Sequence, residues 1–221
     1  MFINVNINLV VEEAPTYAVG HFALGYILAK LASKITKTKV NVALIFTLSV
    51  IPDVDILIPY VVHRGPFHSA IMASIVFIPI FVLYYKNALP YFIAIIHHSL
   101  IGDYITGGKV QLLWPLTQQP FGLELSIKSP ANITIEWLSF LIATFIMIKT
   151  KDAHLILQPH NSNLILAIPT FTVLLPTFLA FPLEVPTALI LPHIIFLIFF
   201  LVSLSIDLKN IFRPCKILIA K

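Results

Sequence analysis

The sequence predicts an all-α protein, a polytopic transmembrane bundle of about seven helices, some broken near the outer face. Three observations predict it. Hydrophobic residues make up 58% of the chain and charged residues only 11%, whereas a water-exposed surface calls for roughly a quarter charged residues. Mean hydropathy is +0.95. Seven segments approach the roughly 20 apolar residues that a spanning helix needs.

Those segments follow in order. Residues 16–34 form the weakest, because Gly20, His21 and Gly25 lie within it. Residues 40–59 form the second, interrupted by Pro52, Asp53 and Asp55. The third covers 67–85, the fourth 89–105 and the fifth 133–148. The sixth, 164–181, carries Pro169 and Pro176 as expected kinks, and 186–206 is the seventh. The longest connection, 106–132, is rich in Pro, Gly and Gln. One membrane domain, 1–221, is therefore expected: a core at 16–115, three accessory helices at 133–206, and a basic cytoplasmic tail at 207–221. The opening residues lack a basic stretch before their apolar part, so no cleavable signal is expected. Cys215 is the single cysteine, which excludes an internal disulfide and a cysteine-based metal cluster.

Charge placement orients the bundle. With seven crossings, one side collects Lys34, Lys37, Lys39, Lys86, Lys149, Lys151, Lys209, Arg213, Lys216 and Lys221. The other side collects Arg64, Lys109 and Lys128. Cytoplasmic loops carry the excess of Lys and Arg. The reading is an integral plasma (inner) membrane protein with its C-terminus cytoplasmic and its N-terminus outside. The expected partners are membrane lipids; no aromatic-basic surface stretch points to nucleic acid.

Ionisable residues in or beside the apolar segments then gather on the outward side. They are His21, Asp53, Asp55, His63, Arg64, His68, His97, His98 and Asp103, with His193 the exception. Charged groups at membrane depth pair, face a cavity or bind something. Two carboxylates at Asp53 and Asp55 repel one another unless a cation sits between them. Imidazole with carboxylate suits zinc, with manganese or iron as alternatives, and the absence of thiolate favours a catalytic over a structural site. Pro52 disturbs the helix locally. If 52–55 is extended, Asp53 and Asp55 point the same way. His98 and Asp103 lie about 140° apart on a regular helix. Either the helix unwinds near Gly102 or only some of His97, His98 and Asp103 point inward. Spacing does not choose between His97 and His98; the second of the pair could orient a ligand.

Blander readings hold elsewhere. His193 is expected to bond a neighbouring helix, and His154 and His160 to be solvated. Arg64 either snorkels to headgroups or clamps a phosphate. Trp114 and Trp137 fit an interfacial belt.

"GHFALGYI", "IPDVDIL", "HRGPFHS" and "HHSLIGDYITGGKVQLLWPL" together resemble the YdjM-like family of membrane-bound, metal-dependent hydrolases, inner-membrane-associated proteins described as LexA-binding. The resemblance spans about residues 20–115. It implies that His21, Asp53, Asp55, His63, His68 and Asp103 are metal-site positions, with one of His97 and His98. The family pattern places His and Asp four apart on one helical face; here the spacing is five or six.

The expected function is a membrane-embedded hydrolase with one or two divalent ions, cleaving a phosphoester of a lipid or membrane-associated substrate at the extracytoplasmic face. Asp55, Arg64 and His98 are the expected catalytic residues: a spare Asp or His as general base, and Arg64 on the phosphate charge. The alternative is a transporter or ion-conducting protein that uses the same residues as a metal or proton path.

Overall fold

The computed structural model describes residues 17–106, 108–179 and 185–211. The basic tail beyond residue 211, and Cys215 with it, lies outside the described residues. The fold is all-α, as expected; among the described residues the β-type pairings are two isolated bridges, Thr106 with Leu125 and Val110 with Phe121.

The helices are α1 (Ala18–Thr36), α2 (Val42–Val50), α3 (Ala70–Tyr84), α4 (Leu89–His97), α5 (Pro130–Lys149) and a short α6 (Asp152–Ile156). A composite run, Asn161–Leu179, is α7, and Thr187–Ile211 is α8. Their starts are legible in the chain. The Asn41, Ser69 and Ser129 side chains accept from the backbone N–H three residues on, at 3.0, 3.2 and 3.2 Å. This satisfies donors that a helix N-terminus leaves open. Pro130 then occupies the first turn of α5, where its missing N–H costs nothing.

Four described stretches are long and apolar enough to cross a membrane: Ala70–Asp103, Pro130–Lys149, Asn161–Leu179 and Thr187–Asn210. The first is a hairpin rather than one rod. Tyr85 takes φ 48° between α3 and α4, and the Phe92 ring lies 5.3 Å from both Phe77 and Phe81. In a continuous helix, residues 77 and 92 would stand about 22 Å apart. The hairpin therefore brings the start of α3 and the end of α4 to the same end of the bundle.

The segment that hydropathy ranks weakest is the most buried. Val19, Phe22, Ala23, Tyr26 and Ala29 of α1 have no exposure at all. A helix that faces lipid must be apolar outward; a helix that faces only protein tolerates glycine and polar groups. The phenyl rings of Phe22, Phe46, Phe196 and Phe200 lie 5.3–6.1 Å from one another and join α1, α2 and α8 in one aromatic cluster. The lipid-facing side is carried by α3, α5 and α8, with Val82, Phe145 and Ile198 among the exposed apolar residues.

α1 and α4 run antiparallel, since a methyl added at Gly25 would meet His97 and one at Gly102 would meet His21. At the far end, the Asn41 N–H donates to the Tyr91 hydroxyl at 2.8 Å. Asp152 there accepts from the Tyr26 hydroxyl at 2.6 Å and pairs with Lys30 at 2.8 Å. The starts of α1, α3 and α5 and the ends of α2 and α4 share the opposite end.

A candidate metal centre

At that opposite end the chain abandons regular α-helix twice. After α2, Ile51–Leu57 winds as a 3-10 turn with Pro52 in its first positions. This corrects the expected extended segment. In a 3-10 turn Asp53 and Asp55 diverge by about 120°, yet both stay buried. They converge because the His68 ring stands between them. Its Nε2 lies 3.4 Å from Asp53 Oδ1 and its Nδ1 3.2 Å from Asp55 Oδ2.

After α4, His98–Asp103 continues as a π-helix. Winding wider than an α-helix, at about 4.4 residues per turn, leaves residue 103 about 50° from residue 98. Most of the 140° mismatch of a regular helix is removed, and His98 Nε2 sits 3.4 Å from Asp103 Oδ2. π-bulges of this kind occur frequently at functional sites. Gly102 serves a separate need: a methyl there would lie 2.2 Å from His21 Cε1. The His21 ring stacks on His98 at 3.8 Å between centroids.

Three overlapping groups result: His21, Asp53 and His98; Asp53, His63 and His68; His68, His98 and Asp103. Within each group the donor atoms lie within 4.8 Å of one another. The tautomers favour a cation. His98 Nδ1 lies 2.8 Å from the Ser49 carbonyl and His63 Nδ1 2.8 Å from Asp55 Oδ1. Both partners only accept, so Nδ1 donates and Nε2 is left to present its lone pair. His63 Nε2 is buried with no hydrogen-bond partner, and His98 Nε2 faces Asp53 Oδ1 at 3.1 Å. Lone pairs facing carboxylate oxygens call for a positive charge between them. The separations linking His68 Nε2 and His98 Nε2 to Asp53 Oδ1 and Asp103 Oδ2 run from 3.1 to 3.4 Å. Donors bound tetrahedrally at about 2.0–2.1 Å stand about 3.4 Å apart. The residues fit a divalent ion.

His68, in the turn ahead of α3, shows the same demand. Its Nε2 lies 3.4 Å from both Asp53 Oδ1 and Asp103 Oδ2, and its Nδ1 faces Asp55. A metal ion at Nε2 would neutralise those carboxylates.

Two expected ligands stand elsewhere. Asp55 joins none of the three groups; it lies behind His63 and His68, against the Nδ1 of each. That is the position of a carboxylate that orients histidine ligands. His97 also joins none, because its Nδ1 and Nε2 face the carbonyls of Ala94 and His21 at 2.8 and 3.1 Å. Of the adjacent pair, His98 is the one in the cluster.

Arg64 is buried at the rim. Its Nη2 lies 3.6 Å from Asp103 Oδ1, and its Nε and Nη2 make no hydrogen bond. The Gly108 backbone packs against Nη1, where a methyl would come within 2.7 Å. The backbone of residue 64 takes φ 61°, and its carbonyl accepts from Gln111 at 2.9 Å. Gly108 and Gln111 thus pack against Arg64 at the rim of the cluster.

His193 stays outside the cluster, with Nδ1 on the Leu189 carbonyl of its own helix at 2.7 Å and its ring edge-on to Tyr17. His154 and His160 are exposed. The sequence reading passed over Glu136, buried on α5 against Gly20. Its signal was available, since an ionisable residue inside an apolar segment is by default a functional candidate.

A family model described as YdjM inner membrane protein matches residues 17–183, well over half of the chain. No curated protein matches, and no solved structure does.

Proposed function

The chain belongs to the YdjM inner membrane protein family, and from that premise we propose that it is a membrane-embedded, metal-dependent hydrolase acting on a phosphoester of a lipid or membrane-associated substrate. The observation that carries this reading is the convergence of three imidazole–carboxylate groups, buried but for His63, beside a buried arginine whose Nε and Nη2 make no hydrogen bond.

His21, Asp53, His63, His68, His98 and Asp103 would hold one or two divalent ions, zinc first, manganese or iron otherwise. When bound, such an ion lowers the pKa of its water and neutralises charge on the transferred group. Asp55 keeps His63 and His68 turned inward. An Asp or His of the cluster left off the metal would take the proton of the attacking water as general base. Arg64 gives its free N–H groups to the phosphate oxygens, a pairing for which the planar guanidinium is suited. Burial strengthens that contact, because few waters compete.

The excess of Lys and Arg in the loops at the other end supports a site on the extracytoplasmic side, with the C-terminus inside. A substrate reaching it there is lipid-borne. The ion-path reading is less favoured. Between the cluster and the Lys30–Asp152 pair, α1 presents Phe22, Ala23 and Tyr26, fully buried and continuous with the aromatic core.

The test is elemental analysis of the purified protein, followed by phosphate release from mixed lipids with Zn²⁺ or Mn²⁺. Asp53→Ala should lose both the metal and the release. A protein that carries no metal and gains none on incubation sinks the proposal.

A further inference from the structure

A second feature adjoins the cluster. A cavity of about 90 Å³ lies between α1, the π-helical end of α4 and α5, its wall formed by Gly20, His21, Gly102, Thr106, Glu136 and Ser139, among others. His21 also belongs to the Asp53–His98 group, so its ring is the partition between cavity and cluster. Glu136 is 4% exposed and its Oε2 has no hydrogen-bond partner. Gly20 lets the carboxyl approach, since a methyl there would lie 2.7–2.8 Å from its carbon and oxygens. The remaining lining is mostly apolar, and Ile135 beside Glu136 is exposed on the lipid-facing side of α5.

A buried carboxyl oxygen left unpaired is costly, and a ligand that pairs with it removes the cost. A hydroxyl both donates and accepts, so it pairs with Glu136 whichever way the proton stands. The volume equals about three waters at roughly 30 Å³ each. That admits an oxygen and its first few carbons, not a whole acyl chain.

We propose that this cavity is a subsite for the alcohol portion of a membrane-dissolved lipid, entered between α4 and α5, with Glu136 hydrogen-bonding a free hydroxyl of that alcohol. The inference rests on the hydrolase reading for its place in the reaction: the phosphate would face Arg64 and the cluster, and the alcohol would lie across His21 from it. Glu136 acts as a positioning residue.

Binding is read on chelator-treated protein in phosphatidylcholine nanodiscs, which separates it from turnover. The probe is a monoacylglycerol with a diazirine in its chain, compared with the same chain as a methyl ester lacking the hydroxyl. The hydroxyl probe should label α4 and α5 next to the cavity, and the ester much less. Glu136→Gln, whose amide also donates and accepts, should keep the labelling. Glu136→Leu should weaken it about tenfold, the loss of one hydrogen bond, and Ser139→Trp should block it. Thermal unfolding of each variant checks folding, with Glu136→Gln as the folded reference. Equal labelling by both probes, or labelling unchanged by Glu136→Leu and Ser139→Trp, overturns the proposal. Metal content and phosphate release are scored separately, so a protein that labels as expected without releasing phosphate keeps the subsite and loses the hydrolase reading.

Discussion

Gly102→Ala is the most direct test of how the centre is assembled. The added methyl would stand 2.2 Å from His21 Cε1 and 2.8 Å from His21 Nδ1, where ordinary contact begins at 3.4 Å. The ring must therefore retreat by at least the difference, 3.4 − 2.2 = 1.2 Å. Metal ligation tolerates about 0.2 Å of error. His21 is then lost to the Asp53–His98 group, while the groups built on His63, His68 and Asp103 keep their donors. The expected cost is about 10–100-fold in metal affinity, the range for disturbing a ligand's support. The assay is Zn²⁺ competition against a calibrated chelator in detergent, on wild type, Gly102→Ala, His21→Ala and the double variant. If the methyl acts through His21, the double variant should bind no more weakly than His21→Ala alone. Wild-type affinity in Gly102→Ala, or a full additional loss in the double variant, refutes the reasoning.

Further outcomes follow from the same geometry. Asp55→Ala should weaken zinc about 10–100-fold by freeing His63 and His68, whereas Asp53→Ala should abolish stoichiometric binding; equal affinities in the two, by the same competition, would place Asp55 among the ligands. His97→Gln should keep full metal content by elemental analysis and lower thermal stability by about 1–3 kcal/mol, since it loses contacts to backbone carbonyls; His98→Ala should lose metal. Arg64→Lys should leave metal content intact and raise the KM for a phosphoester by about tenfold or more, because an ammonium cannot reproduce the planar fork; an unchanged KM in steady-state kinetics removes Arg64 from the phosphate. Chelation should lower the unfolding temperature, since buried carboxylates and lone pairs then lack their cation, and a melting curve insensitive to metal would contradict that.

The overall architecture was legible because the bilayer imposes one coarse rule, long apolar runs separated by breaks. The side shared by His21, Asp53, His68, His98 and Asp103 was legible for the same reason, as counting crossings fixes which ends meet. The local winding was not. Whether Asp53 and Asp55 face one way depends on a 3-10 turn, and whether Asp103 joins His98 depends on a π-helix. Both are departures that tertiary packing selects, and neither leaves a period in the sequence. The choice between His97 and His98 likewise turned on which ring the α1 backbone intercepts. Glu136 was readable by residue type and was missed by treating α5 as accessory. α1 ranked weakest by hydropathy and is not among the described helices long and apolar enough to cross a membrane, because it faces protein.

The burial of α1 has a consequence for how the protein comes to exist. A segment with two glycines, a histidine, two lysines and a serine is a poor lodger in bare lipid. It gains its place only when α4, α5 and α8 have arrived to enclose it. His21 rides on the first turn of that helix, so the His/Asp cluster stays incomplete until the enclosing helices are in place. Biogenesis then orders the site: a half-inserted chain has no finished His/Asp cluster.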